Sequence, residues 1–152
     1  MRNTDFDFLA GSWVSTQRRL ATVLSNCDEW YEFPATLDCQ VLLDGNGVFD
    51  VLRAPERDIE GLTLRLYHPE ERAWRIWWAS KSSGGVLDAP VVGSFTGPIG
   101  VFECDDVYQG TAVRVRYTWD KTDSDHPRWQ QSFSADGGRT WEPNWEATLN
   151  RR

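Results

Sequence analysis

The sequence is poor in the residues from which metal centres, disulfide frameworks and imidazole catalysis are built. Among 152 residues there are three cysteines, two histidines and one methionine. Cys27, Cys39 and Cys104 stand far apart with no CxxC pair, which argues against a disulfide framework and leads us to expect reduced thiols in a cytoplasmic protein. As small hydrophobes within strands they are expected to be inert. His68, in Tyr67-His68-Pro69, and His126, in Asp125-His126-Pro127, fall in turn-like stretches. A tetrahedral metal site needs three or four clustered nitrogen or sulfur ligands, so no metal is expected. Loop-borne histidines also speak against haem ligation and against a histidine-based triad. Neither GxGxxG nor GxxxxGKS/T occurs, and no cofactor is expected. With 16 Lys and Arg against 23 Asp and Glu, the net charge of −7 lacks the basic footprint of a nucleic-acid binder. No apolar run approaches the ~20 residues that span a bilayer, so no membrane contact is expected. The acidic stretch Asn3-Thr4-Asp5-Phe6-Asp7 does not read as a secretory leader.

What the chain has in excess is tryptophan, with nine residues. An indole is a large apolar surface with one donor, so nine of them must line something. The length suits one domain over 1–152, large enough to bury roughly 70% of its unfolded surface without a staple.

Turn signals recur about every 13 residues and delimit about ten segments of strand length. They include Ser25-Asn26, Asp44-Gly45, Asp58 to Gly61, Pro69-Glu70, Gly84-Gly85, Gly97-Pro98, Gln109-Gly110, Asp123 to Pro127 and Asp136 to Gly138. The segments alternate with period 2. Leu62, Leu64 and Leu66 oppose Thr63, Arg65 and Tyr67; Trp74, Ile76 and Trp78 oppose Arg75 and Trp77; Val113, Val115, Tyr117 and Trp119 oppose Arg114, Arg116 and Thr118. Only Thr4 to Ala10 reads as helical, for one or two turns ending at Gly11. An unbroken meander of this kind predicts an all-β, antiparallel up-and-down ten-stranded barrel with a short N-terminal helical turn. Closure removes the long apolar edges an open sheet would expose.

Two motifs carry resemblances. Gly11-Ser12-Trp13, opening the first strand after a helical turn, resembles the G-x-W signature of the lipocalins and their calycin relatives. That resemblance implies a small barrel with an internal pocket, closed at one end by the Trp under an Arg from the last strand, here Arg151 or Arg152. The wider chain resembles a group of bacterial lipocalin-like domains of uncharacterised function. Phe8 to Trp13, Leu64 to Tyr67, Trp74 to Trp78, Val92 to Phe95 and Trp141 to Trp145 carry that likeness. The haem-binding calycins use a late-strand His that is missing here, so haem is not implied. Ser134-Ala135-Asp136-Gly137-Gly138-Arg139-Thr140-Trp141 matches the Asp-box pattern of sialidase propellers. A single copy cannot build a propeller, and it reads as a hairpin tie joining the last two strands.

Polar residues embedded in the strands are the candidate site. Arg65, Arg116, Gln131 and Asn144 lie mid-strand, the last three on consecutive strands. A buried Arg needs a carboxylate or an anionic ligand, and Asp50 and Glu103 are the available partners. Trp78 and Trp129 join them as expected ligand contacts; Trp141 is expected as the floor of the hairpin tie, and Trp74 and Trp145 divide between core and pocket. Alternation alone does not name the inner face of the barrel. The leading expectation is binding of a small apolar or aromatic metabolite in a Trp-rich cavity. The alternatives are a cofactor-free cyclase, isomerase or hydratase using a cavity carboxylate as acid or base, and an interaction module or homodimer. The catalytic residues of such an enzyme are unknown from sequence.

Overall fold

Every segment between the turn signals forms a strand. In the computed structural model, which describes residues 2–152, these are β1 (Gly11–Leu20), β2 (Trp30–Leu42), β3 (Gly47–Ala54), β4 (Ile59–His68), β5 (Ala73–Ser80), β6 (Val91–Thr96), β7 (Ile99–Tyr108), β8 (Thr111–Asp120), β9 (Arg128–Ser134) and β10 (Glu142–Arg151). Residue 1 of the expected span lies outside the described residues. The chain is 61% strand, and each strand pairs antiparallel with its neighbour in sequence. The ring closes where β1 meets β10, from Trp13 opposite Arg151 to Arg19 opposite Trp145. Closure removes the two long edges of an open sheet, and the shortest ladder is that of β5 with β6, from Trp74 to Ile76. The expected all-β, ten-stranded antiparallel barrel is the fold observed.

The N-terminal segment plugs one end. Its helical turn is a single 3-10 turn, Asp7–Leu9, too short to exist without tertiary support. Phe6 supplies that support by entering the barrel, with its ring 4.9 Å from Trp74 and 5.1 Å from Phe95, edge-on to both. The Trp74 indole donates to Asp5 Oδ2 at 2.9 Å. Trp13 is fully buried and donates from Nε1 to Leu9 O at 2.9 Å. Of the two terminal arginines, Arg151 covers it, its guanidinium 4.1 Å from the indole centroid. The same guanidinium donates to Ala10 O and Phe8 O at 2.7 and 3.0 Å, so it clasps the plug to the barrel.

The inner face is now assigned. Trp13, Ser15, Gln17 and Arg19 point inward from β1, and Val113, Val115, Tyr117 and Trp119 from β8. On β4 the polar set is internal: Thr63 and Arg65 are buried, whereas Leu62, Leu64 and Leu66 turn outward. Those leucines keep company across the strands with Phe49, Val51 and Trp77, forming a half-buried outer apolar strip.

The Asp-box residues form the loop from β9 to β10 at the other end of the barrel. Asp136 Oδ1 accepts from the amides of Arg139 and Thr140 at 3.0 and 2.9 Å and from Ser134 Oγ at 2.7 Å. These donors hold its carboxyl well below the usual carboxylate range, the Thr140 hydroxyl contributing most. Trp141 donates to Gly138 O and lies on the outside, where Arg116 covers it at 3.8 Å.

Candidate functional site

Opposite the plug the barrel is open, and beneath that opening lies a cavity of about 410 Å³. This is within the range of small-molecule sites. Its walls follow from strand parity: once Trp13 points inward, alternation sends Ser15, Gln17 and Arg19 into the same space. An aromatic girdle encircles the middle. Tyr117 meets Trp129 at 5.2 Å, Trp129 meets Trp145 at 5.7 Å, and Trp145 meets Trp78 at 6.2 Å, each pair edge to face. Gly61 makes this possible, because a Cβ there would run into the six-membered ring of Trp78. Apolar contact comes from Leu37, Leu52, Val113, Val115 and Phe133.

Most of the polar groups in the wall are mutually satisfied. Trp145 Nε1 donates to Gln17 Oε1 at 2.6 Å, Gln17 Nε2 donates to Ser15 Oγ at 2.8 Å, and Ser15 Oγ donates to Thr148 O at 3.0 Å. Gln131 Nε2 donates to Asn144 Oδ1 at 2.8 Å. Arg19 lies over the Trp145 ring at 4.4 Å.

Asn144 Nδ2 has no partner, and the larger exception is deep on β3 and β4. Arg65 Nη1 approaches Asp50 Oδ2 at 2.6 Å, with both side chains almost wholly buried. The contact is one of charge without an aligned hydrogen bond, and Arg65 Nε, Arg65 Nη1 and Asp50 Oδ2 all lack a hydrogen-bond partner. Burial pushes the Asp50 carboxyl upward, against the opposing pull of Arg65. Phe6 and Trp119 sit 5.2 and 5.7 Å from the guanidinium and supply cation–π contact from the plug side.

The rim carries two more carboxylates, Asp88 from the loop before β6 and Asp106 from β7. The Asp88 amide donates to Trp78 O at 2.8 Å, which ties that loop to the aromatic girdle. Burial, then the charge of Asp106, raises the Asp88 pKa. Burial likewise raises the Tyr117 hydroxyl, and it pushes the Cys104 thiol up to about 11.

The structure brings Arg65, Trp78, Trp129 and Gln131 together around the cavity. Asn144 does not reach the wall; it sits behind Gln131 at the bulge in β10 and is 3% exposed. Arg116 is not brought to the cavity at all. Its neighbours Val115 and Tyr117 turn inward, so Arg116 points outward and donates to Glu103 Oε2 at 2.9 Å. The two candidate partners thus separate, Asp50 inside with Arg65 and Glu103 outside with Arg114 and Arg116. Gln17, Arg19, Thr63, Asp88, Asp106 and Tyr117 were not singled out from the sequence. For Gln17 and Arg19 the signal was present in their period-2 spacing from Trp13; Asp88 lies in a loop and has none.

No protein-family model matches the chain, and no curated protein matches it. Among solved structures, the S-type phycobiliprotein lyase from Guillardia theta is similar, with a TM-score of 0.59 and 11% sequence identity. The superposition covers 97% of this chain and 90% of that one. At this identity the likeness is one of fold, and the fold is that of a lipocalin-like barrel.

Proposed function

We propose that this protein binds a small, flat apolar or aromatic molecule in the barrel cavity. One observation carries the reading: a barrel sealed at one end by its own N-terminus leaves, at the other, a space of about 410 Å³ ringed by Trp78, Tyr117, Trp129 and Trp145. A barrel serving only as a scaffold would gain stability by filling that space, since interiors pack to near crystal density. Rings held edge to face by one another, with the Trp145 indole fixed by Gln17, are poised to stack on a planar ligand without reordering. Trp78 and Trp129 would contact its faces; Arg65 and Gln131 would contact its polar atoms. A small tetrapyrrole-like molecule is one member of this class, suggested by the phycobiliprotein lyase. The test is a titration of intrinsic tryptophan fluorescence with a panel of planar aromatic and conjugated compounds. Binding by at least one class is expected, weakened about tenfold or more in Trp129→Ala, which loses a stacking partner of roughly 1–3 kcal/mol. A panel without a binder would overturn the reading.

A second reading has one observation in its favour. Asp88 at the rim keeps its proton more readily than a free carboxyl, the property a general acid or base needs. On that reading the barrel is a cofactor-free enzyme of the cyclase, isomerase or hydratase kind. Asp88→Asn would then abolish turnover of a bound compound while leaving its affinity unchanged; unchanged turnover would remove Asp88 from the chemistry.

A further inference from the structure

Asp50 and Arg65 are the buried ion pair of the cavity wall, and with Asn144 Nδ2 behind the wall they hold the buried side-chain atoms among the described residues that lack an aligned hydrogen bond. Ser15, Gln17 and Gln131 all have hydrogen-bond partners within the protein. Arg65 Nε has none, and Arg65 Nη1 and Asp50 Oδ2 meet only each other, at 2.6 Å and without hydrogen-bond alignment, although both side chains are about 95% buried or more and both line the cavity. Buried polar atoms are nearly always well hydrogen-bonded, so a charged pair this poorly satisfied in the wall of a ligand cavity marks where a ligand's polar end goes.

We propose, on the premise that the cavity binds a planar molecule, that Asp50 and Arg65 together read a neutral group with a donor and an acceptor side by side. The lactam or cis-amide edge, N–H next to C=O, is such a group. The spacing sets this requirement. The guanidinium donates and the carboxylate accepts, and their charged atoms lie 2.6 Å apart. A ligand answering both must carry its acceptor and its donor side by side, as a lactam's C=O and N–H do on one carbon. A ligand carboxylate would satisfy Arg65 but face Asp50, and an ammonium would do the reverse. The pair is formally neutral and therefore favours a dipole over an ion. The rim adds to the bias against anions, since Asp88 and Asp106 flank the opening and only Arg19 opposes them. Thr63, directly across from Asp50 on β4, keeps the approach narrow and polar.

The probes are 2-quinolinone, which carries the lactam edge on an aromatic frame, 1-methyl-2-quinolinone, which lacks the donor, 2-naphthoate, which carries a charge, and naphthalene, which has neither. Calorimetric titration of the full chain should give 2-quinolinone at least tenfold tighter binding than the methylated compound or the naphthoate. The Asp50→Leu/Arg65→Met double variant removes both partners and should bring these affinities to within about threefold while naphthalene binding persists. The Arg65 Nε–H resonance in the wild-type protein provides a check that needs no variant. It should shift on adding 2-quinolinone and stay in place with naphthalene. Equal wild-type affinities, a preference that survives in the double variant, or a still Arg65 resonance would each overturn the proposal. Naphthalene binding without lactam preference would refute the polar pole and leave the cavity reading standing. Failure of all four probes to bind would refute both.

Discussion

Arg151→Ala tests whether the plug is held by one residue. In the structure the Arg151 guanidinium stacks 4.1 Å above the buried Trp13 ring and donates to Ala10 O at 2.7 Å and Phe8 O at 3.0 Å. Stacking of a partly desolvated guanidinium on indole contributes about 1 kcal/mol. Each hydrogen bond from a charged donor contributes about 1.5 kcal/mol when buried, and exposure to solvent reduces that by about half. The loss should therefore total about 2–3 kcal/mol. For a chain of this length it lowers Tm by about 5–10 °C. Arg151→Lys keeps the charge but cannot reach both carbonyls at once, and should recover about half of the loss. Urea unfolding of the wild type, Arg151→Ala, Trp13→Leu and the double variant completes the cycle, with an expected coupling of about 1 kcal/mol or more. Arg151→Ala within about 0.5 kcal/mol of wild type, or two substitutions that add without coupling, would show that Arg151 does not hold the plug.

Four other measurements probe separate parts of the molecule. Removing one member of the buried pair, by Asp50→Ala or Arg65→Ala, should cost about 3–5 kcal/mol in urea unfolding, whereas Asp50→Leu/Arg65→Met should stay within about 1 kcal/mol of wild type; a mild single variant would contradict the ion pair. Gly93→Ala should destabilise by about 1–3 kcal/mol, because the new methyl group would collide with the Val101 carbonyl on β7 and force the strands apart; an unchanged urea midpoint would refute that contact. Asp136 is depressed by the donors of its loop, so the stability it confers is present above the unfolded carboxylate's pKa of about 3.9 and is lost as pH falls through its lower folded value. The stability gap between wild type and Asp136→Asn should therefore shrink as the solution is acidified below about pH 4, and a gap independent of pH would exclude the carboxylate as its source. Burial raises the Cys39 thiol to about 12 and the Cys104 thiol to about 11, leaving at pH 8 a thiolate fraction of roughly one in ten thousand and one in a thousand. A disulfide reagent should label Cys27 in the native protein and the other two only after denaturation.

The parts of this fold that were legible in the sequence are those governed by neighbours along the chain. The hairpin tie needs only Asp136, its glycines and Thr140 within a few residues, and it formed where the pattern placed it. The ten strands follow from period-2 spacing and turn residues, both local signals. The inner face was not legible, because it depends on partners across the barrel. On β4 the usual rule of apolar residues inward even points the wrong way: Leu62, Leu64 and Leu66 face out, while Thr63 and Arg65 face in. The register resolves the contradiction. Arg65 can be internal only because β3 places Asp50 beside it, the plug brings Phe6 and β8 brings Trp119 to its guanidinium. That arrangement draws on residues from about 6 to 119, a separation no window reading can see. Arg116 illustrates the converse. It sits mid-strand among apolar residues as Arg65 does, yet β7 supplies Glu103 on the outer surface and the loop before β10 supplies Trp141 as a lid. Two arginines with the same local signature thus part company on which face holds their carboxylate. It follows that exchanging the faces of the carboxylates, more than altering the arginines, is what would redraw the site: Glu103→Gln should loosen Arg116 on the surface at small cost, whereas Asp50→Asn leaves the buried Arg65 guanidinium without its counter-charge.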